Sequence, residues 1–339
     1  MIISSNISLK SYNTFGIDVS AKYFTCVQSI ENIKELLQSD EYKNNKRLIL
    51  GGGSNILLTK DVDAIVIKNN LKGIETVKET EDSVYIKCAG GEVWHEFVMW
   101  CIDKNYGGLE NLSLIPGYTG ASPMQNIGAY GVEIKDLFYE LEAIHTITGE
   151  QQLFSKTDCE FGYRESVFKH QFKNQFIITS VTFKLSKNPT SFHIEYGAIK
   201  QELDAMNISE LSIKAVSQAV INIRSSKLPN PKEIGNAGSF FKNPEVQADV
   251  YESLKVKFPN IVAYALDNGN YKLAAGWLIE QSGLKGYRIG DAGVHKLQAL
   301  VLVNYGSATG NEIYNLSTHV LQTVKDKFGV NLEREVNII

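Results

Sequence analysis

The chain contains 339 residues, enough to bury a substantial core and to form about two domains. Hydrophobic residues make up 43% and charged residues 21%, which is typical of soluble globular proteins and excludes disordered or collagenous chains. The 34 Lys and Arg residues against 38 Asp and Glu residues give a net charge of −4, so a general nucleic-acid-binding surface is not expected.

Cysteine and histidine usage favours neither a disulfide scaffold nor a metal site. The 4 cysteines include no C-x-x-C pair, and the 6 histidines have no ligand spacing. The first residues lack an apolar signal core, and no apolar run is long enough to cross a bilayer. We therefore expect a cytoplasmic protein without metal, membrane segment or nucleic-acid partner.

The first predicted elements surround a run of glycines. Residues 46–50 and 64–67 predict two short strands that flank the loop 51–56, GGGSNI. Consecutive glycines let backbone N–H groups approach a pyrophosphate, and Ser54 and Asn55 add side-chain donors. The loop fits neither G-x-G-x-x-G nor a P-loop, so a plain glycine turn is an equal alternative to a phosphate site.

A strand, a helix and a long loop are predicted next. Residues 84–90 predict the strand, and residues 92–104 predict an amphipathic helix whose apolar face carries Val93, Phe97, Trp100 and Cys101. Residues 105–131 contain six glycines and two prolines, too many for a regular element. Long loops inside compact domains are usually functional. We interpret this one as an ordered binding loop, with a rigid surface loop as the alternative.

Residues 138–185 are predicted to be rich in strands. In the last strand alternate positions are mostly apolar and are expected to face one core: Ile177, Thr179, Val181, Phe183 and Leu185. Before this strand, Arg164 has a planar charged group that suits a carboxylate or enolate oxygen. For an arbitrary arginine, an ion pair with Glu165 or another surface acid is the more common arrangement.

The last third begins with a predicted helix over about 209–224. Its apolar face would carry Leu211, Val216, Ala219, Val220 and Ile223. The segment SSKLPNPKEIGNAGSFFKNP then indicates a domain boundary. Further patterns predict a helix starting at Asn243-Pro244, a helix in KLAAGWLIEQSG ended by Gly283, a buried strand ALVLV, a helix ended by Gly329 and a final strand LEREVNII.

Two further sites in this region could carry chemistry. Ser239 lies between a small-residue turn and two aromatic residues without a nearby His, which favours a proton donor or a cap over a nucleophile. Glu333 and Glu335 would share one face of the final strand. Their spacing does not choose between them, and a solvated strand edge is the default interpretation.

In order, these segments resemble the UDP-N-acetylenolpyruvoylglucosamine reductase (MurB) family of bacterial peptidoglycan synthesis. The resemblance covers nearly the whole chain, through NTFGID, LGGGSNILL, GLENLSLIPGYTGASPMQNIGAYGVE, FGYRESVFK, SSKLPNPK, GNAGSFFKNP, KLAAGWLIEQSGLKG, GVHKLQALV and LEREV. It implies an α+β fold with a vanillyl-alcohol-oxidase-type FAD-binding region of two α+β parts, residues 1–73 and residues 74–228 with 329–339. An α+β substrate-binding domain over residues 229–328 would complete it.

The resemblance also implies an activity, the reduction of UDP-N-acetylenolpyruvoylglucosamine to UDP-N-acetylmuramate with FAD as cofactor and NADPH as reductant. Hydride would pass from flavin N5 to C3 of the enolpyruvyl ether. Arg164 would polarise the substrate carboxylate, Ser239 would donate a proton to C2, and Glu335 would assist carboxylate activation. The enzyme is expected to be a cytoplasmic monomer. The alternative is another flavin oxidoreductase of this fold that acts on a small alcohol or sugar.

Further residues are carried over from the family by their motifs. The expected FAD contacts are Gly51, Gly52, Gly53, Ser54, Asn55, Ile56, Gly117, Gly120, Ala121, Ser122, Gln125, Asn126, Gly128, Ala129 and Gly131. Because neither loop contains His or Cys, the FAD should be non-covalent. The expected UDP-sugar contacts are Tyr196, Lys227, Asn243, Tyr264, Lys272 and Gln298. Tyr196 lies in EYGAI, which resembles the subclass whose tyrosine-bearing loop closes over the substrate diphosphate.

Overall fold

The computed structural model describes all 339 residues, which form two compact units. Unit 1 consists of Met1–Ile7, Ala21–Gly53 and Val62–Ser226, and unit 2 consists of Ser8–Ser20, Ser54–Asp61 and Lys227–Ile339. Residues 329–339, which the sequence assigned to the FAD-binding region, fall within unit 2 of this division. The three-part domain division stays a prediction.

The chain forms twenty strands and eight α-helices. The strands are β1 (Ile3–Ser8), β2 (Ser20–Val27), β3 (Arg47–Leu50), β4 (Ile56–Leu57), β5 (Val62–Asn69), β6 (Ile74–Glu79), β7 (Ser83–Ala89), β8 (Gly128–Ala129), β9 (Val132–Glu133), β10 (Phe138–His145), β11 (Gln151–Ser155), β12 (Phe176–Ser186), β13 (Gly235–Ser239), β14 (Glu245–Val246), β15 (Ala263–Ala265), β16 (Tyr271–Leu273), β17 (Arg288–Ile289), β18 (Ala292–Val294), β19 (Val301–Asn304) and β20 (Asn337–Ile338). The helices are α1 (Ile30–Gln38), α2 (Asp40–Lys43), α3 (Trp94–Asp103), α4 (Ile199–Ala205), α5 (Ile213–Lys227), α6 (Ala248–Lys257), α7 (Ala275–Gln281) and α8 (Gly310–Phe328).

Unit 1 is built on two sheets. The first has the strand order β1-β2-β5-β3, and both β2 and β3 run parallel to β5. Central parallel strands are covered on both faces, and seven of the eight residues of β5 are buried. The second sheet is antiparallel, with the order β11-β10-β12-β7-β6. Helix α3 packs on this sheet through Trp94, Phe97, Val98 and Cys101, which share one apolar cluster with β7, β10 and β12.

A β-bulge in β12 makes the predicted alternation wrong at one end of the strand. Glu142 of β10 faces Ser180, but the next residue, Ala143, faces Ile178. One extra residue in a strand reverses the face on which the following side chains lie. Ile177 therefore packs in one apolar cluster, and a different cluster contains Val181, Phe183 and Leu185.

Unit 2 contains a four-stranded antiparallel sheet with the order β13-β19-β18-β17 and a three-stranded antiparallel sheet with the order β14-β16-β15. Strand β20 runs parallel to β4 and pairs with it. Helix α8 begins with a capping box between Thr309 and Glu312 and ends at Gly329, whose φ of 70° confirms the predicted helix end. None of the helices is long and apolar enough to span a bilayer.

Several sequence predictions in this part of the chain are wrong in detail. Asn243-Pro244 does not start a helix, because β14 follows directly and Gln247 is the N-cap of α6. Leu211 is exposed and precedes α5, so it does not belong to the buried face of that helix. The segment KLAAGWLIEQSG begins in β16, and its helix starts only at Ala275.

The final segment LEREVNII is also not one continuous strand. Only Asn337–Ile338 is strand, and Arg334 forms an isolated bridge with Phe241. The alternation argument for Glu333 and Glu335 therefore does not apply.

Candidate functional site

Within unit 1, the first part of the glycine loop 51–56 lies against the loop 105–131. A Cβ atom on Gly52 would lie 2.9 Å from Cα of Gly117, and one on Gly120 would lie 2.9 Å from Cα of Gly90. Real Cβ atoms do not approach backbone this closely, so glycine at these positions allows the contact. The structure thus brings together the first part of loop 51–56 and the loop 105–131.

Both loops line one cavity of about 100 Å³. Gly51, Gly120 and Ala121 form part of its wall, and Phe168 and Phe172 form another part. Glycine backbone beside aromatic rings suits a flat ring system that needs close approach and stacking. This cavity fits part of a dinucleotide such as FAD.

The loop 105–131 is ordered, as predicted, and its backbone is unusual. It contains the 3-10 helices Glu110–Leu112 and Thr119–Gln125. Four residues other than glycine in this loop have positive φ: Asn105 at 60°, Leu114 at 59°, Asn126 at 44° and Tyr130 at 51°. Such conformations are costly for a leucine or a tyrosine and concentrate at functional sites.

Two predicted cofactor contacts, Ser122 and Asn126, use their side chains to hold the loop itself. The buried Ser122 hydroxyl donates to the Thr119 carbonyl at 2.7 Å. The buried Asn126 amide donates to Glu133 Oε2 at 3.0 Å and to the Gly162 carbonyl at 2.9 Å. Both N–H donors of Asn126 are thereby engaged, so its side chain shapes the loop.

The hairpin of β8 and β9 supports Arg164. Its two-residue turn consists of Tyr130 at φ 51° and Gly131 at φ 81°, a pairing of positive φ values typical of tight hairpins. The Arg164 guanidinium donates from Nη2 to the Gly128 carbonyl at 2.6 Å and lies 3.5 Å from Glu133 Oε1. Arg164 itself has a φ of 58° at a turn between Gly162 and Glu165. The arginine is therefore fixed against the loop that the sequence assigned to the flavin.

Beneath this loop lies a group of polar side chains that the sequence analysis missed. His95 Nδ1 accepts the Leu114 N–H at 3.0 Å, and Arg224 Nε donates to the Leu114 carbonyl at 3.3 Å. Burial lowers the pKa of His95, and the charge of Arg224 lowers it further, so the ring stays a neutral acceptor. These contacts hold Leu114 in its left-handed conformation.

Asn111 connects the segment containing Tyr196 to the same loop. The buried Asn111 amide donates to the Tyr130 carbonyl at 3.0 Å and to the His193 carbonyl at 2.7 Å. Tyr196 is 48% exposed, and its Cβ lies 3.5 Å from the Cβ position of Gly131. The predicted tyrosine-bearing segment thus rests on the β8–β9 turn.

In unit 2 the structure brings Ser239 and Glu335 close in the fold. Ser239 is the exposed last residue of β13 and pairs with Val301, and the next residue, Phe240, is fully buried. The Glu335 N–H donates to the Phe240 carbonyl at 2.8 Å. Asn55 Nδ2 lies 3.5 Å from the Glu335 carbonyl. Within unit 2, the backbone of Glu335 therefore contacts both the residue after Ser239 and the side chain of Asn55.

The predicted substrate residues of unit 2 form a second group. Tyr264 and Lys272 are directly opposite on the paired strands β15 and β16. Asn243 Oδ1 accepts the Ala275 N–H at the start of α7 at 3.0 Å, so this asparagine caps a helix distant in sequence. Gln298 Oε1 lies beside the same helix start, 3.3 Å from the Cβ position of Gly276. Lys227, the other lysine among the predicted substrate contacts, is the last residue of α5 and is exposed.

Family models match two parts of this chain. Residues 21–153 match a model described as an FAD binding domain. Residues 230–339 match a model described as the C-terminal domain of UDP-N-acetylenolpyruvoylglucosamine reductase. These matches confirm the FAD-binding region and, together with the observed mixture of helices and sheets, the α+β fold class.

Relatives with the same description match over the whole length. The UDP-N-acetylenolpyruvoylglucosamine reductase of Flavobacterium johnsoniae is 56% identical over 339 residues and is covered completely, as is this chain. The reductase of Pseudomonas savastanoi pv. phaseolicola is 50% identical over 336 residues, which cover 99% of this chain and 98% of the relative. The crystal structure of the reductase from Thermus caldophilus has the same fold, with a TM-score of 0.70, 23% identity and coverage of 100% of this chain and 99% of that one. The chain belongs to the UDP-N-acetylenolpyruvoylglucosamine reductase family.

Proposed function

We propose that Arg164, Ser239 and Glu335 carry out the charge and proton chemistry of this family's reaction, the FAD-dependent reduction of UDP-N-acetylenolpyruvoylglucosamine with NADPH in peptidoglycan precursor synthesis. FAD, when bound, supplies the hydride that it has received from NADPH. Hydride addition at C3 of the enolpyruvyl group leaves negative charge on C2 and the attached carboxylate. The protein must therefore supply a cation for the carboxylate and an acid for C2.

Arg164 is the proposed cation. Its planar guanidinium suits a carboxylate, because two parallel N–H groups match two oxygens. The hydrogen bond to the Gly128 carbonyl and the nearby Glu133 carboxylate fix the orientation of the group. A guanidinium held in advance stabilises charge that develops during the reaction without having to reorganise.

Ser239 is the proposed proton donor to C2, and Glu335 is the proposed acid that assists carboxylate activation. The observation that carries this pair is the backbone contact between Glu335 and Phe240, next to Ser239. The Ser239 hydroxyl is exposed at a strand end, while the buried Phe240 and Phe241 anchor the following backbone. A serine is a weak acid, but a carbanion-like C2 is basic enough to accept its proton.

Tyr196, Lys227, Asn243, Tyr264, Lys272 and Gln298 are the proposed UDP-sugar contacts. The cross-strand pair of Tyr264 and Lys272 supports this assignment, because it offers a ring and a cation on one face of β15 and β16. Lys227 and Lys272 would bind the substrate diphosphate, which a chain of net charge −4 attracts only through local positive charge.

We also propose that the enzyme works as a monomer in the cytoplasm. One chain contains all the residues proposed for the cofactor and the substrate, and the substrate and the reductant are both charged nucleotides. Light scattering of the purified protein at micromolar concentration tests the monomer, and a stable dimer would contradict it.

The proposed chemistry is tested by separating the two half-reactions in Ser239→Ala. Under anaerobic conditions NADPH should bleach the flavin of the variant as fast as that of the wild type. Reoxidation by UDP-N-acetylenolpyruvoylglucosamine should be slower by about a hundredfold to ten-thousandfold, the usual contribution of a general acid. Ser282→Ala is the matched control, because the Ser282 hydroxyl only donates to the Leu278 carbonyl within unit 2. Unchanged reoxidation in Ser239→Ala would exclude Ser239 as the acid.

A further inference from the structure

Lys68 carries a buried charge that the sequence analysis did not single out. It lies in β5, a central parallel strand, and is only 9% exposed. Its Nζ donates to the Gly51 carbonyl at 2.5 Å and lies 4.2 Å from the centre of the Tyr118 ring. Gly51 belongs to the first glycine loop and Tyr118 to the second, so this ammonium group connects both loops.

No carboxylate lies within ion-pair distance of the Lys68 ammonium, whose hydrogen-bond acceptor is the Gly51 carbonyl and whose aromatic neighbour is the Tyr118 ring. A carbonyl dipole and an aromatic face offer partial charges, which compensate only part of the cost of removing an ammonium from water. An ammonium group has three donors, and these two partners engage two of them. The arrangement has capacity for one more acceptor, and a full negative charge would be the most favourable one.

Lys72 provides a contrast at nearly the same place. Its Nζ lies 5.5 Å from the centre of the same Tyr118 ring, but the side chain is 47% exposed and pairs with Glu92 Oε2 at 3.4 Å. Lys72 is therefore a half-exposed cation with its own counter-ion, and its Nζ also donates to the Gly91 carbonyl at 2.5 Å. Of the two lysines on this ring, only Lys68 is buried without one.

We propose that Lys68 binds the diphosphate of FAD and supplies the positive charge of the cofactor site. Residues 21–153 match an FAD-binding domain, and Lys68 contacts one residue of each glycine loop in that region. The diphosphate of a dinucleotide carries two negative charges and joins two ring systems. The cavity beside Gly51, with its phenylalanine wall, accepts such a ring. Glycine backbone N–H groups bind the same anion, and the lysine adds a full charge to these dipoles.

The test compares cofactor affinities of the apo-protein, measured by flavin fluorescence. Lys68→Met should weaken FAD binding by about tenfold to a hundredfold, the usual effect of losing a hydrogen bond to a charged group. Its affinity for riboflavin, which has no phosphate, should change by less than about twofold. Lys68→Arg should restore part of the FAD affinity, and Lys72→Met should leave it unchanged.

Two results would overturn the proposal. Equal loss of FAD and riboflavin affinity in Lys68→Met would show that Lys68 only ties the loops together. Unchanged FAD affinity in Lys68→Met would show that the charge of Lys68 does not contribute to FAD binding. A measurement on the wild type covers the case in which the variants do not fold: ADP should raise the unfolding temperature of the apo-protein more than adenosine does. Equal effects of ADP and adenosine would contradict an anion site.

Discussion

The contact between the two glycine loops leads to a sharp prediction for neighbouring residues. In Gly52→Ala the new methyl group would lie 2.9 Å from Cα of Gly117 and 3.3 Å from its carbonyl carbon. Carbon atoms in contact prefer about 3.5–4.0 Å, so the loops must separate by roughly 0.6–1 Å. In Gly51→Ala the nearest atoms would lie at 3.6 and 3.7 Å, which is ordinary contact. Both variants add one methyl group to the same loop, but only Gly52→Ala places it too close to backbone atoms.

Overpacking of this kind costs about 1–3 kcal/mol. Gly52→Ala should therefore lower the unfolding temperature of the apo-protein by several degrees and weaken FAD binding by about fivefold to a hundredfold. Gly51→Ala should keep the wild-type unfolding temperature or raise it slightly, because alanine restricts the unfolded chain. Thermal unfolding and fluorescence titration with FAD measure both effects. Equal unfolding temperatures for the two variants would refute the steric reasoning.

Three further predictions concern stability. The pKa of His95 is lowered in the folded state, so the protein should lose stability as pH falls below the ordinary histidine value of about 6.5. In His95→Gln the unfolding temperature should depend less on pH in this range. Parallel curves of unfolding temperature against pH for the variant and the wild type would contradict the prediction. Burial raises the pKa of Glu110, so stability falls as pH rises above the ordinary glutamate value, and Glu110→Gln should unfold at a higher temperature than the wild type at pH 7. Gly310→Ala would put a methyl group 1.8 Å from the Leu58 carbonyl oxygen and should unfold at a much lower temperature than Gly276→Ala, whose nearest contact is a side-chain atom at 3.3 Å.

Features set by neighbours in the sequence were predictable. The end of α8 follows from Gly329 after an amphipathic run, and the ordered loop 105–131 follows from its glycines among apolar residues. The two glycine-rich loops were also predictable, because two backbone segments that approach each other closely need glycine at the contact. Whole segments also resemble one family, and this resemblance identified Arg164, Ser239 and Glu335 as candidates. The residues taken singly would not have identified them.

Features set by distant partners were not predictable from the pattern. Asn243 has the sequence of a local helix cap, yet it caps α7, which begins 32 residues later at Ala275. The bulge of β12 depends on its register with β10, which the strand's own sequence does not contain. Lys68 did leave a signal, because a lysine inside the apolar run AIVIKN of a buried strand needs a partner, but nothing in the sequence pointed to Gly51 and Tyr118.

The pairing of β4 with β20 has a consequence for protein synthesis. Thr59 bonds to the Ile339 carbonyl across 280 residues, and Unit 2 combines segments from the beginning and the end of the sequence. On the ribosome, residues 54–61 must wait for residues 337–339 before their backbone groups find their native partners. A prematurely terminated chain would lack the strand that pairs with β4 and would leave the backbone groups of β4 unpaired, so incomplete translation products would be open to proteases.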